Sequence, residues 1–286
     1  MSERYEKYLK NLPVIPEVAR KIMSMAEDKL DISFKELENI IIIDPGLTAK
    51  ILKVANSALY ARQREIKNLQ MAITLLGFKN IKSLIMLVTA ANAFTRHKTS
   101  KFYQTFWKHS IISAFLSKHI ALRLNQNESA EEHFLAGLLH DIGQVALFNS
   151  DTEKYENVIK SVSDDDNKQL EATEEEQYEI NHRELGASIL QKWYFPEQYV
   201  DVAKEHMSSN ITSVHKMMIS VITIADIIAE NLGFGYIAPN AKELLPGLLL
   251  YTGLKEQDIE YYTNEYMNDL KKDPLFNECK TLFNIS

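Results

Sequence analysis

His140 and Asp141 stand side by side in FLAGLLHDIGQVAL, a stretch that is otherwise apolar. Burying an imidazole or a carboxylate is costly unless the group is paired or bound to a cation. The stretch predicts a helix, on which neighbouring side chains point about 100° apart, so both groups could line the edge of one cleft. The pair is therefore a candidate site for metal binding or for catalysis.

Other ionisable side chains fall on the apolar faces of predicted helices in the second half of the chain. They are His109, His182, His206 and Asp226. Each alone is most simply a hydrogen-bonded core residue. Together with His140 and Asp141, however, they would need six separate partners, whereas one cluster around a divalent cation satisfies them all. Mixed nitrogen and oxygen ligands suit iron, manganese, zinc or magnesium, and the residues do not decide among these metals.

The composition predicts an all-α protein. The chain has 9 glycines in 286 residues, where average usage would give about 20, so tight turns are few and helices are favoured over sheets. The net charge of −7 disfavours a nucleic-acid-binding protein, which would present a basic face. The single cysteine, Cys279, rules out an intramolecular disulfide and a cysteine-based zinc site.

The first 98 residues predict several short helices without evident chemistry. Ser33 and Glu36 form a capping-box pattern, and Asp44 before Pro45 is a second helix start. Asn68 opens a further helix, which Gly77 ends. Residues 98–100 are a predicted break, so we take residues 1–98 as an N-terminal helical bundle.

The elements that must position the candidate residues follow in residues 99–231. We expect helices over 102–124, 130–148, 175–193, 196–206 and 210–230, with an acidic, exposed loop or helix start at 161–176. Residues 232–286 form a C-terminal helical extension rich in tyrosine. It could cover the core or form the surface of a homodimer, and the first reading is favoured.

The sequence predicts neither a signal peptide nor a transmembrane helix. Its first residues lack the apolar core of a signal peptide. The longest nearly apolar stretch, residues 217–229, is too short to span a bilayer and is interrupted by Asp226. We therefore expect a cytoplasmic protein that does not associate with a membrane.

Several segments resemble a known family, the HDOD domain, which is related to the HD phosphohydrolases. LPVIPEVARKI, IIIIDPGLTAKILKVANSALY and IKNLQMAITLLGFKNIKSLI resemble its N-terminal part, and FLAGLLHDIGQVALF and NHRELGASILQKWYFPEQYVDVAKEHM resemble its HD-like core. The resemblance covers about residues 10–230. It implies an N-terminal helical bundle packed on an HD-like helical core. It also implies a sensory or output role in bacterial signal transduction, in a family not generally credited with hydrolase activity.

The resemblance also implies a ligand set. His109, His140, Asp141 and Asp226 match the metal quartet of the HD superfamily. In the cyclic-di-GMP phosphodiesterase branch two further histidines help bind a second metal, and these resemble His182 and His206.

The chain also departs from the hydrolase pattern. Gln144 replaces the lysine of the phosphodiesterase motif HDIGK, and His206 is followed by Met207 instead of a second histidine. The GYP-containing loop is absent.

Three functions remain open at this point. The first is a non-catalytic signalling module that binds a partner protein or a nucleotide, with the N-terminal bundle as its interaction surface. The second is a metal-dependent phosphohydrolase acting on a nucleotide or cyclic dinucleotide, in which Asp141 would be essential for turnover. In the third, the six polar residues hydrogen-bond one another and bind nothing.

Overall fold

The regular elements of this protein are helices, as a computed structural model of the chain shows. The structure describes residues 7–8, 17–23, 34–57, 66–93, 97–165, 168–236 and 238–285. Every regular element within these ranges is helical, which confirms the prediction of an all-α fold.

The helices fall into three consecutive groups. The N-terminal group consists of α1 (Glu17–Met23), α2 (Phe34–Ile41), α3 (Pro45–Ser57) and α4 (Leu69–Ala93). The central group consists of α5 (Lys101–Arg123), α6 (Ala130–Leu139), α7 (Ile142–Ser150), α8 (Thr152–Ser163), α9 (Leu170–Tyr178), α10 (His182–Lys192), α11 (Glu197–Glu205) and α12 (Lys216–Asn231). The C-terminal group consists of α13 (Ala241–Thr252), α14 (Glu256–Tyr261), a π-helical turn (Tyr262–Tyr266), α15 (Met267–Leu270) and α16 (Pro274–Phe283).

Local sequence signals fix the starts of the N-terminal helices. The Asp44 carboxylate accepts the Leu47 N–H at 2.9 Å, and the Asn68 side chain accepts the Met71 N–H at 2.8 Å. Gly77 adopts φ 75° and ψ 169°, which divides α4 where the sequence predicted one helix to end and another to begin. Ser33 of the predicted capping box lies outside the described residues.

Helix α4 is the one described helix whose length and composition would allow it to cross a membrane. Its most apolar window has a mean hydropathy of 1.6, and 61% of that window is buried inside the protein. Burial of this kind is typical of the core helix of a folded domain, so the finding is weak evidence for a membrane span. The stretch predicted as the longest nearly apolar one, residues 217–229, lies elsewhere, in α12.

Two helices predicted as continuous are each divided in the structure. Residues 130–148 form α6 and α7, separated by a turn at His140 and Asp141. Residues 175–193 are divided because Glu179 adopts a left-handed φ of 62°, after which the Asn181 side chain caps α10 by accepting the Glu184 N–H at 2.9 Å. Both divisions place candidate residues at helix ends instead of in helix interiors.

The last predicted helix of the central group begins later than expected, at Lys216 instead of residue 210. The Glu205 carboxylate accepts the backbone N–H groups of Thr212 and Ser213 at 2.7 and 3.2 Å, which holds the preceding residues in a loop. The acidic stretch 161–176 also contains more helix than expected, because α9 begins at Leu170.

Helix α5 is the centre of the packing. It contacts α6 and α12 along the central group, and α6 also contacts α4, which joins the N-terminal helices to the same core. Helix α16 packs against α3, α4 and α5. The Trp107 ring on α5 lies 4.4 Å from the Phe283 ring, measured between centroids, and both side chains are fully buried.

The C-terminal helices therefore cover the core. Tyr262 is fully buried, and the Tyr266 hydroxyl donates to the Phe115 carbonyl on α5 at 3.1 Å. An ion pair of 2.7 Å between Lys53 and Glu278 ties α16 to α3. These contacts favour the core-covering reading of the tyrosine-rich extension.

Candidate metal centre

The structure brings all six predicted residues together in the central group. His109 lies in the middle of α5 and Asp226 in α12, whereas the other four stand at helix ends. His140 follows the last residue of α6, Asp141 precedes α7, His182 begins α10 and His206 follows α11. All six side chains are buried.

Three of these residues form the first half of the cluster. The His109 Nε2 atom lies 3.2 Å from His140 Nε2 and 3.1 Å from Asp226 Oδ1. The remaining separation, from His140 Nε2 to Asp226 Oδ1, is 3.6 Å. One nitrogen or oxygen atom from each residue therefore faces a common point.

Asp141 connects this half to the second. Its Oδ1 atom lies 3.1 Å from His206 Nε2 and 3.4 Å from His182 Nε2. Its Oδ2 atom lies 3.5 Å from His140 Nε2 and 3.7 Å from His109 Nε2. A single carboxylate thus faces all four imidazoles.

The opposite nitrogen of every imidazole is held by an acceptor. The Nδ1 atoms of His109, His140 and His206 lie 2.9, 2.8 and 3.0 Å from the carbonyl oxygens of Phe234, Gly137 and Val202, respectively. A carbonyl only accepts, so each Nδ1 carries the proton. The Nε2 lone pairs of these rings are then free to bind a cation at the centre of the cluster.

The fourth imidazole is held by a carboxylate. The Nδ1 atom of His182 donates to Glu174 Oε2 at 2.7 Å, and the His182 backbone N–H donates to the same oxygen at 2.7 Å. The Tyr155 hydroxyl donates to the other oxygen, Glu174 Oε1, at 2.6 Å. A histidine held by a carboxylate is a common arrangement around metal ions.

The electrostatics of the cluster favour positive charge on His140 and His182. Burial alone lowers the pKa of His140, but the charges of Asp141 and Asp226 outweigh it and raise that pKa to about 9. Burial similarly opposes protonation of His182, whose pKa the charge and hydrogen bond of Glu174 raise to about 9. Burial raises the pKa of both aspartates, and the neighbouring imidazoles more than reverse this and lower it below the usual range. A metal cation can replace such protons on the ring nitrogens.

The ligand atoms fit a divalent cation. Metal–nitrogen bonds of about 2.0–2.1 Å place neighbouring ligand atoms about 3.0–3.4 Å apart, and the His109–His140 separation of 3.2 Å lies in this range. The ligand atoms of His109, His140 and Asp226 lie within 4.8 Å of one another, as do those of His140, Asp141 and His206. The two groups share His140, and the cluster could hold one or two cations.

A cavity of about 570 Å³ opens onto the cluster. Five of the six residues line it, His140 being the exception, together with Gln144, Lys101 and Lys160. The Gln144 amide donates to Asp141 Oδ2 at 2.6 Å. Neither lysine forms an ion pair with a residue that the structure describes, so both ammonium groups could meet an anionic ligand.

Sequence reasoning missed Glu174, because the surrounding stretch is acidic and was expected to be exposed. Its side chain is fully buried. A signal was present: Leu170, Glu174 and Tyr178 recur every four residues and are the buried residues of α9.

Replacing Glu174 by glutamine is expected to weaken divalent-cation binding about 10- to 100-fold. This is the range for outer partners, which are residues that hydrogen-bond a metal-ligating histidine without contacting the metal. The glutamine amide lacks the negative charge that holds the His182 ring. Its single oxygen also cannot accept hydrogen bonds from the His182 backbone N–H, the His182 Nδ1–H and the Tyr155 hydroxyl together. Competition with a chelator measures the affinity. Glu176→Gln, at an exposed position of the same helix, is the control and should leave it unchanged. Equal affinity in both variants would show that Glu174 does not orient His182.

Comparison with known proteins identifies a family. The model of the HDOD domain matches residues 12–209 of this chain. An uncharacterised protein of Treponema pallidum (strain Nichols) is 20% identical over 216 residues, which are 74% of this chain and 42% of that protein. The chain thus spans less than half the length of this relative.

Solved structures share the fold. An HDOD domain protein from Geobacter sulfurreducens is 20% identical and superposes with a TM-score of 0.76, covering 98% of both chains. A protein from Shewanella amazonensis that carries the name of a phosphohydrolase is 21% identical, with a TM-score of 0.74 over 99% of this chain and 98% of its own. At these identities the likeness shows the fold alone.

Proposed function

The chain belongs to the HDOD domain family, and from this premise we propose that it is a non-catalytic module of bacterial signal transduction that binds a divalent cation in its core and a partner protein or nucleotide. The observation that supports cation binding is the convergence of four imidazoles and two carboxylates, in which every Nδ1 atom is held by an acceptor. Such a site is oriented for a metal before the metal arrives.

A structural or sensory role for the cation is favoured over catalysis by the residue at position 144. A phosphohydrolase of this pattern has a lysine there, which supplies positive charge next to a phosphate. Gln144 is neutral, and its amide donates to Asp141 instead. The cation would then link the ends of α6, α7, α10 and α11 to the middle of α5 and α12. Its presence or absence is a state that a signalling module can report.

The alternative function is a metal-dependent phosphohydrolase acting on a nucleotide or cyclic dinucleotide. The cavity favours it, because about 570 Å³ is within the range of small-molecule sites. Lys101 and Lys160 would contact phosphate oxygens at its wall. A bound cation would polarise a phosphoryl oxygen and lower the pKa of a water molecule. His109, His140, Asp141 and Asp226 would hold one cation, with His182 and His206 beside a second.

One experiment separates these functions. The purified chain is loaded in turn with Mn, Fe, Zn and Mg, dialysed, and analysed for metal per chain. The loaded protein is then screened for hydrolysis of phosphodiesters and nucleotides. We expect metal close to stoichiometric with the chain and no turnover. Turnover that is lost in Asp141→Ala would establish the phosphohydrolase instead. Protein that binds none of the four metals would show that the six residues only hydrogen-bond one another.

A further inference from the structure

Residues 232–236 and 238, which we call the strap, leave the end of α12 and turn back over the cluster. The Gly233 N–H donates to the Glu230 carbonyl at 2.8 Å, and the Phe234 N–H donates to the Ala229 carbonyl at 3.0 Å. At the far end, the Ala238 N–H donates to Glu230 Oε2 at 3.2 Å. Both ends of the strap are therefore attached to the last turn of α12.

The middle of the strap contacts the first imidazole of the cluster. The Phe234 carbonyl accepts from His109 Nδ1 at 2.9 Å. On the ring side of the same residue, the Lys108 ammonium lies 5.3 Å from the centre of the Phe234 ring. Two adjacent residues of α5 therefore contact Phe234, one at its carbonyl oxygen and one at its ring.

Gly235 allows this approach. A Cβ atom at position 235 would lie 2.8 Å from His109 Nδ1, 3.3 Å from Cε1 and 3.4 Å from Cγ. Its φ of +107° is also a conformation that residues with side chains rarely adopt. The backbone of the strap thus lies directly against the His109 ring, and a side chain at this position would displace the ring.

We propose that the strap is a positioning element of the metal site, in which the Phe234 carbonyl and the Gly235 backbone together hold His109 with its Nε2 atom towards the cation. This inference rests on the proposed divalent-cation site. The strap lies beyond residues 12–209, the part of the chain that the family model matches. The C-terminal extension therefore completes a site whose other parts belong almost entirely to the preceding helices.

The strap also forms one wall of the cavity that leads to the cluster. Gly235, Tyr236 and Ala238 line it. The Tyr236 hydroxyl donates to the Lys168 carbonyl, which attaches the strap to the segment before α9. The strap thus contributes both to the wall of the cavity and to the surroundings of His109.

A matched pair of glycine variants tests the proposal. Gly253 also has a positive φ, +82°, but a Cβ atom there would have no neighbour within 4 Å, and it lies at the end of α13, outside the strap. Gly253→Ala therefore introduces the backbone strain without the contact, whereas Gly235→Ala introduces both. Zinc affinity is measured by competition with a chelator. We expect Gly235→Ala to weaken zinc binding about 10- to 100-fold, as for other outer partners of ligands, and Gly253→Ala to leave it unchanged.

The outcomes distinguish this inference from the proposed function. If the unmodified chain binds zinc and the two variants bind it equally well, the positioning role of the strap is wrong and the metal site stands. If the unmodified chain binds no divalent cation, the proposed function fails, and this inference fails with it. Should Gly235→Ala not fold, nitrogen NMR of the His109 ring in the zinc-loaded chain decides. We expect the proton on Nδ1, and a proton on Nε2 would overturn the proposal.

Discussion

Replacing Asp141 by asparagine is expected to lower the affinity for divalent cations more than about 100-fold, beyond the range for outer partners of ligands. Among the residues that the structure describes, Asp141 is the one carboxylate that faces all four imidazoles, at distances between 3.1 and 3.7 Å. Asparagine keeps the shape but removes one of the two negative charges of the cluster. Asp226 alone would then oppose the charge of the cation in a buried site, where an unbalanced charge is costly.

Metal per chain after dialysis measures this effect, and the temperature of unfolding with and without added metal measures it independently. A ligand that binds only the folded state stabilises it by about 4 kcal/mol at a thousand times its Kd, so the unmodified chain should gain thermal stability with metal and Asp141→Asn should not. The control is Asp201→Asn. Asp201 pairs with His215 at 2.8 Å but lies outside the cluster. Full metal content in Asp141→Asn would show that cation binding does not depend on the Asp141 carboxylate.

The six candidate residues could be selected from the sequence because each is a polar group on an otherwise apolar face. His109 illustrates this: it lies between Phe106 and Ser113 on the buried seam of α5, and all three are buried. The scarcity of glycine gave the fold class, and hydrophobic periodicity gave the approximate range of α5. The periodic features are local, since they depend on the spacing of residues along one helix.

The helix ends at the site were not predictable, because the apolar pattern continues across them. The apolar residues of 130–148 follow the pattern of one continuous helix, yet the backbone turns at His140 and Asp141. Within the turn, the Gln144 N–H donates to the Asp141 carbonyl at 2.8 Å. What selects the turn is tertiary: α7 must pass close to α10, and an uninterrupted helix would not bring Asp141 to His182.

Two outer partners of the ligands left only weak signals in the sequence. Phe234 acts through its backbone carbonyl, which every residue type possesses, so only Gly235 next to it hints at a close approach. Glu174 contacts His182 across the turn at Glu179. Its burial depends on the direction in which the chain leaves that turn. Contacts of this kind appear only once the helices have been placed.

Replacing Gly143 by alanine is expected to cost more than about 4 kcal/mol of stability, a magnitude reserved for severe packing defects, or to prevent folding. A Cβ atom at position 143 would lie 1.9 Å from the His182 carbonyl oxygen and 2.9 Å from the Gly186 nitrogen. These are backbone atoms, so no side-chain rotation relieves the overlap. Helices α7 and α10 would have to separate.

The separation would also disrupt the metal site. Helix α7 begins just after Asp141 and α10 begins with His182, so the same movement pulls apart two residues whose side chains are 3.4 Å from each other. We therefore expect any folded Gly143→Ala protein to have lost its metal as well as its stability.

Gly186→Ala is the matched control because it places a methyl group at the same helix crossing. Its Cβ atom would lie 3.3 Å from the Gly143 nitrogen and at least 3.6 Å from the other nearest atoms. The slight crowding is offset by the helix propensity of alanine, which exceeds that of glycine by about 1 kcal/mol. Urea unfolding in the presence of a chelator should therefore place Gly186→Ala within about 1 kcal/mol of the unmodified chain, the size of that propensity difference. If Gly143→Ala were as stable as Gly186→Ala, the close crossing of α7 and α10 would not be what brings Asp141 to His182.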